Sequence, residues 1–314
     1  MEFTEAYEKV IALRENLERV IRGKSATIDL AITALLARGH LLIEDVPGVG
    51  KTTLAHGLAR SVNCTFQRIQ FTSDLLPSDV IGVTVYNQPE HRFEFRKGPL
   101  FANIVLADEI NRGTPKTQSA LLEAMNDRQV TVDRTTHALP EPFMLLATQN
   151  PLEFSGTFPL PESQLDRFTL SLRIGYPDAA HEKEIIRSVS APAAINDLKP
   201  VLEVPDVLGM QELSAKVRVE DDLVNYILSI AEATRSHKDI SLGVSPRGTM
   251  ALFRTAQAHA IVAGRDYATP DDIKTLASSV FAHRIIPEAR GFGDDLSDTT
   301  LIIREILSNV TVPI

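Results

Sequence analysis

The stretch Val46-Pro47-Gly48-Val49-Gly50-Lys51-Thr52-Thr53 decides the fold. It follows a short apolar run, His40-Leu41-Leu42-Ile43, and opens a segment with helical periodicity from Lys51 to Ser61, so it reads as strand, turn, helix. Gly48 and Gly50 let the backbone turn its N–H groups toward a phosphate chain, Lys51 supplies a point charge, and the Thr52 hydroxyl suits magnesium. The candidate cradle is therefore Asp45 through Thr53, with Val46, Pro47 and Val49 contributing backbone. One position departs from the usual GxxxxGK[ST] pattern, because Asp45 stands where the first glycine is expected. A lysine in a helix's first turn is opposed by the helix dipole by about 0.3–1 kcal/mol, and an anionic ligand reverses that sign.

Two further segments extend the argument. Asn103 to Ile110 (NIVLADEI) reads as a buried strand ending in two carboxylates, and an acid at the carboxyl end of a central strand lies at the crevice where such sheets bind ligands. Asp108 is the candidate to hold magnesium through water, and Glu109 to polarise the water that attacks a terminal phosphate. Leu146-Ala147-Thr148-Gln149-Asn150-Pro151 is a third strand ending in a polar amide, so Asn150 is a candidate to orient that water or touch the phosphate; turn chemistry before Pro151 is its plainer role.

Around these motifs, helices (residues 5–20, 26–37 and 116–125) alternate with strands (65–70, 104–107 and 143–148), the pattern of a parallel α/β sheet covered on both faces. Two stretches interrupt it. GVTVYNQPEHRFEF, between Asp79 and Pro99, and RQVTVDRTTHAL, between Asn126 and Pro142, alternate like hairpins, the second turning near Asp133-Arg134. After Tyr176-Pro177 only helical periodicity remains: residues 180–189, 210–217, 221–236, 246–263, 270–283 and 296–307. The expected organisation is a nucleotide-binding domain over residues 1–177 and a smaller helical domain over 178–314. Thr269-Pro270-Asp271-Asp272 is a strong helix start, and His283-Arg284 reads as cations suiting the dipole at a helix end.

The 314 residues, 44% hydrophobic, suffice for one sizeable core and a smaller second one. No run approaches a membrane span and the amino terminus is acidic, so a cytoplasmic protein is expected. A single cysteine, Cys64, reads as a small core residue and argues against a structural zinc site. The formal charge of −9 gives no broad basic surface for nucleic acid. Each hairpin region is itself neutral: Asp79, Glu90 and Glu94 against Arg92, Arg96 and Lys97 in the first, Asp127 and Asp133 against Arg128 and Arg134 in the second. A hairpin that tracks phosphates should carry a positive excess, which weighs against a nucleic-acid-translocating motor.

Taken in order, Gly48 to Thr52, Leu106 to Glu109 and Asn150 resemble the Walker A, Walker B and sensor-1 elements of AAA+ ATPases. DEINRGTPKTQSALLEAM and LATQNPLEFSGTFPLPESQLDRF are more specific and are similar to the MoxR family, with the resemblance running from about Val20 to Arg284. It implies an AAA+ P-loop core with a parallel five-stranded sheet, two hairpin inserts and an all-helical lid. It also implies ATP and magnesium as cofactors, with Thr52 and Asp108 on the metal. By the same resemblance, Arg167 matches an arginine finger reaching a neighbouring subunit's γ-phosphate, Arg247 in Gly243-Val244-Ser245-Pro246-Arg247 matches sensor 2, and Gly23 matches the segment bordering adenine. The implied assembly is a homo-oligomeric, hexameric ring. The implied activity is ATP hydrolysis that remodels or matures a protein client, sometimes one with a von Willebrand factor A domain, with metal insertion in some members. A nucleotide-gated binding module with little turnover is the other reading, and the complete hydrolytic set argues against it.

Overall fold

In the computed structural model, residues 1–150, 156–187, 195–288 and 295–313 are described. The chain opens with α1 (Phe3–Glu18), α2 (Ser25–Leu36), β1 (Leu41–Glu44), α3 (Lys51–Ser61), β2 (Phe66–Gln70) and α4 (Pro77–Ile81). A hairpin of β3 (Gly82–Asn87) and β4 (Arg92–Lys97) leads to β5 (Ile104–Asp108) and α5 (Pro115–Asp127). A second hairpin, β6 (Gln129–Val132) and β7 (Thr135–Ala138), precedes β8 (Met144–Gln149), α6 (Glu162–Leu165) and β9 (Leu170–Leu172). Asp133 and Arg134 both take positive φ, 49° and 66°, as a two-residue hairpin turn requires.

The five-stranded sheet runs β2-β5-β8-β1-β9, every pair parallel. The central strands β5, β8 and β1 read as apolar runs because both faces are covered, and the period of two divides them between two cores, whereas edge strand β2 leaves Gln67, Arg68 and Gln70 exposed. Leu41, Ile43, Ile104, Leu106, Met144 and Leu146 face the core built with α1, α2, α3 and the carboxyl-terminal helices. Leu42, Val105, Ala107, Leu145 and Ala147 face the other core, with Phe71, Leu121 and Phe168. Cys64 packs half-buried against the first core, where burial pushes its thiol up to about 11.

His40 ties the amino-terminal end of this sheet together. Its Nδ1 accepts the Leu145 N–H at 3.0 Å while Nε2 lies 3.0 Å from the Met125 carbonyl, so the ring is neutral with its proton on Nε2. A second proton would meet the Leu145 N–H. Burial pushes the imidazole down to about 4.

The carboxyl-terminal region comprises α7 (Ala179–Arg187), α8 (Val204–Ser214), α9 (Asp221–Ser236), β10 (Ile240–Leu242), α10 (Pro246–Val262), α11 (Pro270–Phe281), β11 (Ile286–Pro287) and α12 (Asp295–Asn309). It is helical, with one element the sequence reading lacks: β10 and β11 form a small antiparallel ladder. Segments this short carry no readable alternation, and they pair because α9 and α11 deliver them side by side. Helix α8 starts earlier than its apolar pattern suggests, since Pro205 and Gly209 dilute the stripe while the Glu203–Asp206 capping box fixes the start. The first expected lid helix ends at 189, and residues 188–189 lie outside the described residues. At the other end, α11 stops at Phe281, and His283 and Arg284 follow in a 3-10 turn with both side chains buried. Arg284 Nη1 donates to the Val280 carbonyl in the last turn of α11, as the dipole reading expects, and both side chains also reach back into the sheet domain. Among the described residues no helix is long and apolar enough to cross a membrane.

Candidate functional site

The strand order sets the carboxyl ends of β5, β8 and β1 side by side. The cradle after β1, the acids ending β5 and Asn150 after β8 therefore meet at one crevice, with Asn150 between the other two. Gly50 caps α3 with φ 100°, and Gly48 has φ 86° with open space where a Cβ would be, so these glycines answer the backbone and not crowding. Lys51 Nζ donates to the Asp45 carbonyl at 2.6 Å, which folds the loop over its own lysine. Thr52 and Thr53 follow in the first turn, half-buried.

Asp45 has work of its own. Its Oδ1 accepts the Val46 N–H at 2.9 Å, and Oδ2 accepts the N–H groups of Ile174 and Gly175 at 2.7 and 2.6 Å. The carboxylate straps the start of the cradle to the segment that leaves β9. A glycine there would have no such strap.

The acid pair is held by its neighbours. Asp108 is buried, and its Oδ1 accepts the Thr148 hydroxyl at 2.6 Å while Oδ2 accepts Arg68 Nε at 3.0 Å and Nη2 at 2.5 Å. Glu109 sits in the left-handed region at φ 56°, its N–H donating to Thr148 Oγ1 at 2.8 Å. That turn parts the two carboxylates: Glu109 Oε2 accepts Gln70 Nε2 at 2.8 Å and lies 3.2 Å from Arg112 Nε. Sequence reasoning missed Arg68, Gln70 and Thr148. Their one readable signal is position, as polar side chains at or near strand ends that border the crevice.

A magnesium ion suits these donors. Thr52 and Asp108 offer hard oxygens, and among the described residues no cluster of three or more His, Cys, Asp or Glu could hold a metal unaided. A cation here draws the rest of its shell from phosphate oxygens and water, the habit of Mg²⁺.

Gly23, exposed with φ 68°, lies beside this crevice. A Cβ on it would meet the His181 ring at 2.7 Å, while Ile21 Cδ1 comes within 3.7 Å of where a Gly50 Cβ would lie. The segment thus runs between the cradle and α7.

Arg167 and Arg247 are elsewhere. Both line a cavity of about 260 Å³ with His40, Thr169 and Met125, at the amino-terminal ends of β1 and β9 and so at the opposite end of the sheet from the cradle. Arg38, Arg128, Arg254 and Arg284 also line it, and Asp166 is the one acid among its lining residues. One face of the chain thus gathers phosphate-binding geometry and acids, and another gathers guanidinium groups.

The fold and crevice define a P-loop nucleotide-binding module with a helical lid. Residues 40–170 match the ATPase family associated with various cellular activities (AAA), and residues 232–306 match the AAA lid domain. The chain is 50% identical over 302 residues to "Uncharacterized protein YeaC" of Bacillus subtilis (strain 168), covering 96% of this chain and 93% of that one. It is 39% identical over 308 residues to "Chaperone MoxR1" of Mycobacterium tuberculosis, covering 95% and 80%. A solved structure of a candidate ATPase from Cytophaga hutchinsonii superposes with a TM-score of 0.90 at 38% identity, covering 99% of this chain and 97% of that one. The chain belongs to the MoxR family of AAA+ ATPases.

Proposed function

We propose that this protein hydrolyses Mg-ATP at a site completed between neighbouring copies in a hexameric ring, and uses the cycle to remodel a protein client. The observation that carries this reading is the separation of the two halves: cradle, Asp108, Glu109 and Asn150 at one end of the sheet, Arg167 and Arg247 at the other. A ring in which one end meets the next copy's other end would join them. We take residues 1–177 as the nucleotide-binding unit and 178–314 as the lid.

In this reading the cradle from Asp45 to Thr53 wraps the phosphates with backbone N–H groups, and Lys51 moves from the Asp45 carbonyl to the phosphate oxygens. The segment at Gly23 borders the adenine. Thr52 and Asp108 would hold magnesium, which would supply charge neutralisation at the phosphates. Glu109 leaves Gln70 to accept a proton from the attacking water, and Asn150 fixes that water's position. Arg167 and Arg247 of the next copy stabilise the charge that develops on the transferred phosphoryl group. The chaperone role is supported by the relative named a chaperone, and a client bearing a von Willebrand factor A domain is the first kind to test.

The test uses the Glu109→Gln variant with Mg-ATP. Nucleotide should bind with near-normal affinity, phosphate release should fall by about 10²-fold or more, and the trapped ring should retain its client. Failure of the assembled wild-type protein to bind adenine nucleotide with Mg²⁺, or unchanged phosphate release by the variant, would overturn the assignment.

A further inference from the structure

The two arginines are not mounted independently. Asp166, next to Arg167, accepts the Ser245 hydroxyl at 3.1 and 2.9 Å on its two oxygens, and Ser245 caps the helix on which Arg247 stands in the first turn. Arg284 completes the link: its Nε donates to Asp166 Oδ1 at 2.9 Å. Its Nη groups donate to the carbonyls of Asp166 at 3.3 Å, Phe168 at 2.5 Å and Thr169 at 3.2 Å, so one guanidinium grips the backbone on both sides of residue 167.

Arg284 also touches the Arg247 helix. A Cβ on Gly248 would lie 2.8 Å from Arg284 Cδ and 2.7 Å from Val244 Cγ1, so the bare backbone at Gly248 is what lets the buried side chain pass. Gly248 has an ordinary helical φ, and alanine would suit the helix better on intrinsic grounds. His283 Nε2, 3.0 Å from the Phe168 carbonyl, buttresses the same segment.

We infer that Asp166, Ser245 and Arg284 form a positioning clasp that sets Arg167 and Arg247 as one unit toward a single phosphate on the neighbouring subunit. This rests on the proposed trans role of the two arginines. A lid-to-core staple alone would need only one of these bonds; this one converges on the residue before the finger and on the cap of the helix bearing the second arginine. The arrangement is costly, since burial drags Arg284 down to about 10 even with Asp166 opposing it, and an apolar contact would hold the domains together more cheaply.

The experiment measures ATP turnover, nucleotide affinity and thermal stability for Ser245→Asp and Gly248→Ala. Aspartate caps a helix as well as serine does but faces Asp166 with a second charge. Alanine at 248 favours the helix while displacing Arg284. Both variants should bind ATP within about twofold of wild type and lose about 10- to 100-fold in kcat, the penalty for a misplaced catalytic group. Mixing either with the Glu109→Gln variant should restore turnover to about a quarter of the wild-type rate at equal proportions, because an intact finger then serves an intact site in that share of positions. Full kcat in both variants, or a kcat loss that mixing does not rescue while Arg167→Ala mixed with Glu109→Gln is rescued, overturns the clasp and leaves the trans reading standing. No rescue with Arg167→Ala overturns the trans reading and the clasp with it. If Ser245→Asp does not fold, Arg284→Lys takes its place, with the same kcat loss and rescue expected.

Discussion

Replacing Asp45 with glycine, the residue more usual at this point of a phosphate cradle, should weaken the protein. The change deletes an acceptor that serves three backbone N–H groups, those of Val46, Ile174 and Gly175. Ile174 is 4% exposed, so its N–H has no water to replace the carboxylate, while Val46 and Gly175 are half-buried. A hydrogen bond to a charged group contributes about 1.5–3 kcal/mol net, so losing the two bonds to Ile174 and Gly175 costs about 3–6 kcal/mol. Glycine adds about 0.5–1 kcal/mol through the freedom it gives the unfolded chain. Nothing offsets this in the folded state, because Asp45 is not among the positive-φ residues and the backbone gains nothing from glycine there. Asp45→Asn keeps one carbonyl oxygen and should lose about half as much. Urea unfolding of the three proteins checks the order wild type, Asn, Gly. An Asp45→Gly protein within about 0.5 kcal/mol of wild type would refute the strap, since that is the scatter expected for a surface substitution touching nothing.

Acid should unfold the protein in two stages. The folded His40 stays neutral down to about 4 while the unfolded imidazole takes its proton near 6.5, so about 3 kcal/mol of stability present above pH 6.5 is lost as pH falls to 4. His40→Gln can accept from Leu145 and donate to Met125, and should flatten that limb in urea titrations across pH. A second loss begins below about pH 4 at Asp272: burial raises its pKa, but hydrogen bonds from His259, Arg265 and Thr269 outweigh that and hold it well below the carboxylate range. Asp272→Asn should remove the second limb and cost about 2–3 kcal/mol at pH 7, read from the same titrations. Gly23→Ala should cost about 2–3 kcal/mol, part from φ 68° and part from the 2.7 Å approach of His181, and a His181→Ala background should recover only the second part in a thermal double-mutant cycle.

What the sequence made legible is what chemistry fixes locally. A cradle must be contiguous, so Gly48 to Thr52 declares itself, and α3 begins and ends where its periodicity says. A buried strand ending in acids is equally self-contained, as is the hairpin turn at Asp133-Arg134. The partners that hold these groups are another matter. Arg68 reaches Asp108 across 40 residues, Ser245 reaches Asp166 across 79 and Arg284 reaches it across 118, and no spacing rule spans such distances. Arg284 was legible in part: its bond to the Val280 carbonyl is the helix-end role the pattern suggests, whereas its bonds to residues 166–169 come from the packing of α11 against β9, which no local pattern shows. Asp45 was legible as a departure but not as a strap, because its partners Ile174 and Gly175, though they follow the strand next to β1, lie 129 and 130 residues further along the chain.

The placement of the arginines also bears on why a ring would follow nucleotide. Arg167, Arg247, Arg128 and Arg254 share a cavity in which Asp166 is the one lining acid, and Arg128 also lies 3.6 Å from Glu141. A phosphate chain presented by a neighbouring copy would, on the proposed reading, be attracted to this gathering of guanidinium groups. On the proposed reading, whatever favours nucleotide binding then favours assembly by the same free energy, since the two events are linked through one contact. On that reading the coupling is electrostatic, so salt should weaken it. A site split across two chains in this way would make turnover report on a neighbour's position, and the proposed clasp at Asp166 would keep that report a property of the lid and the core together.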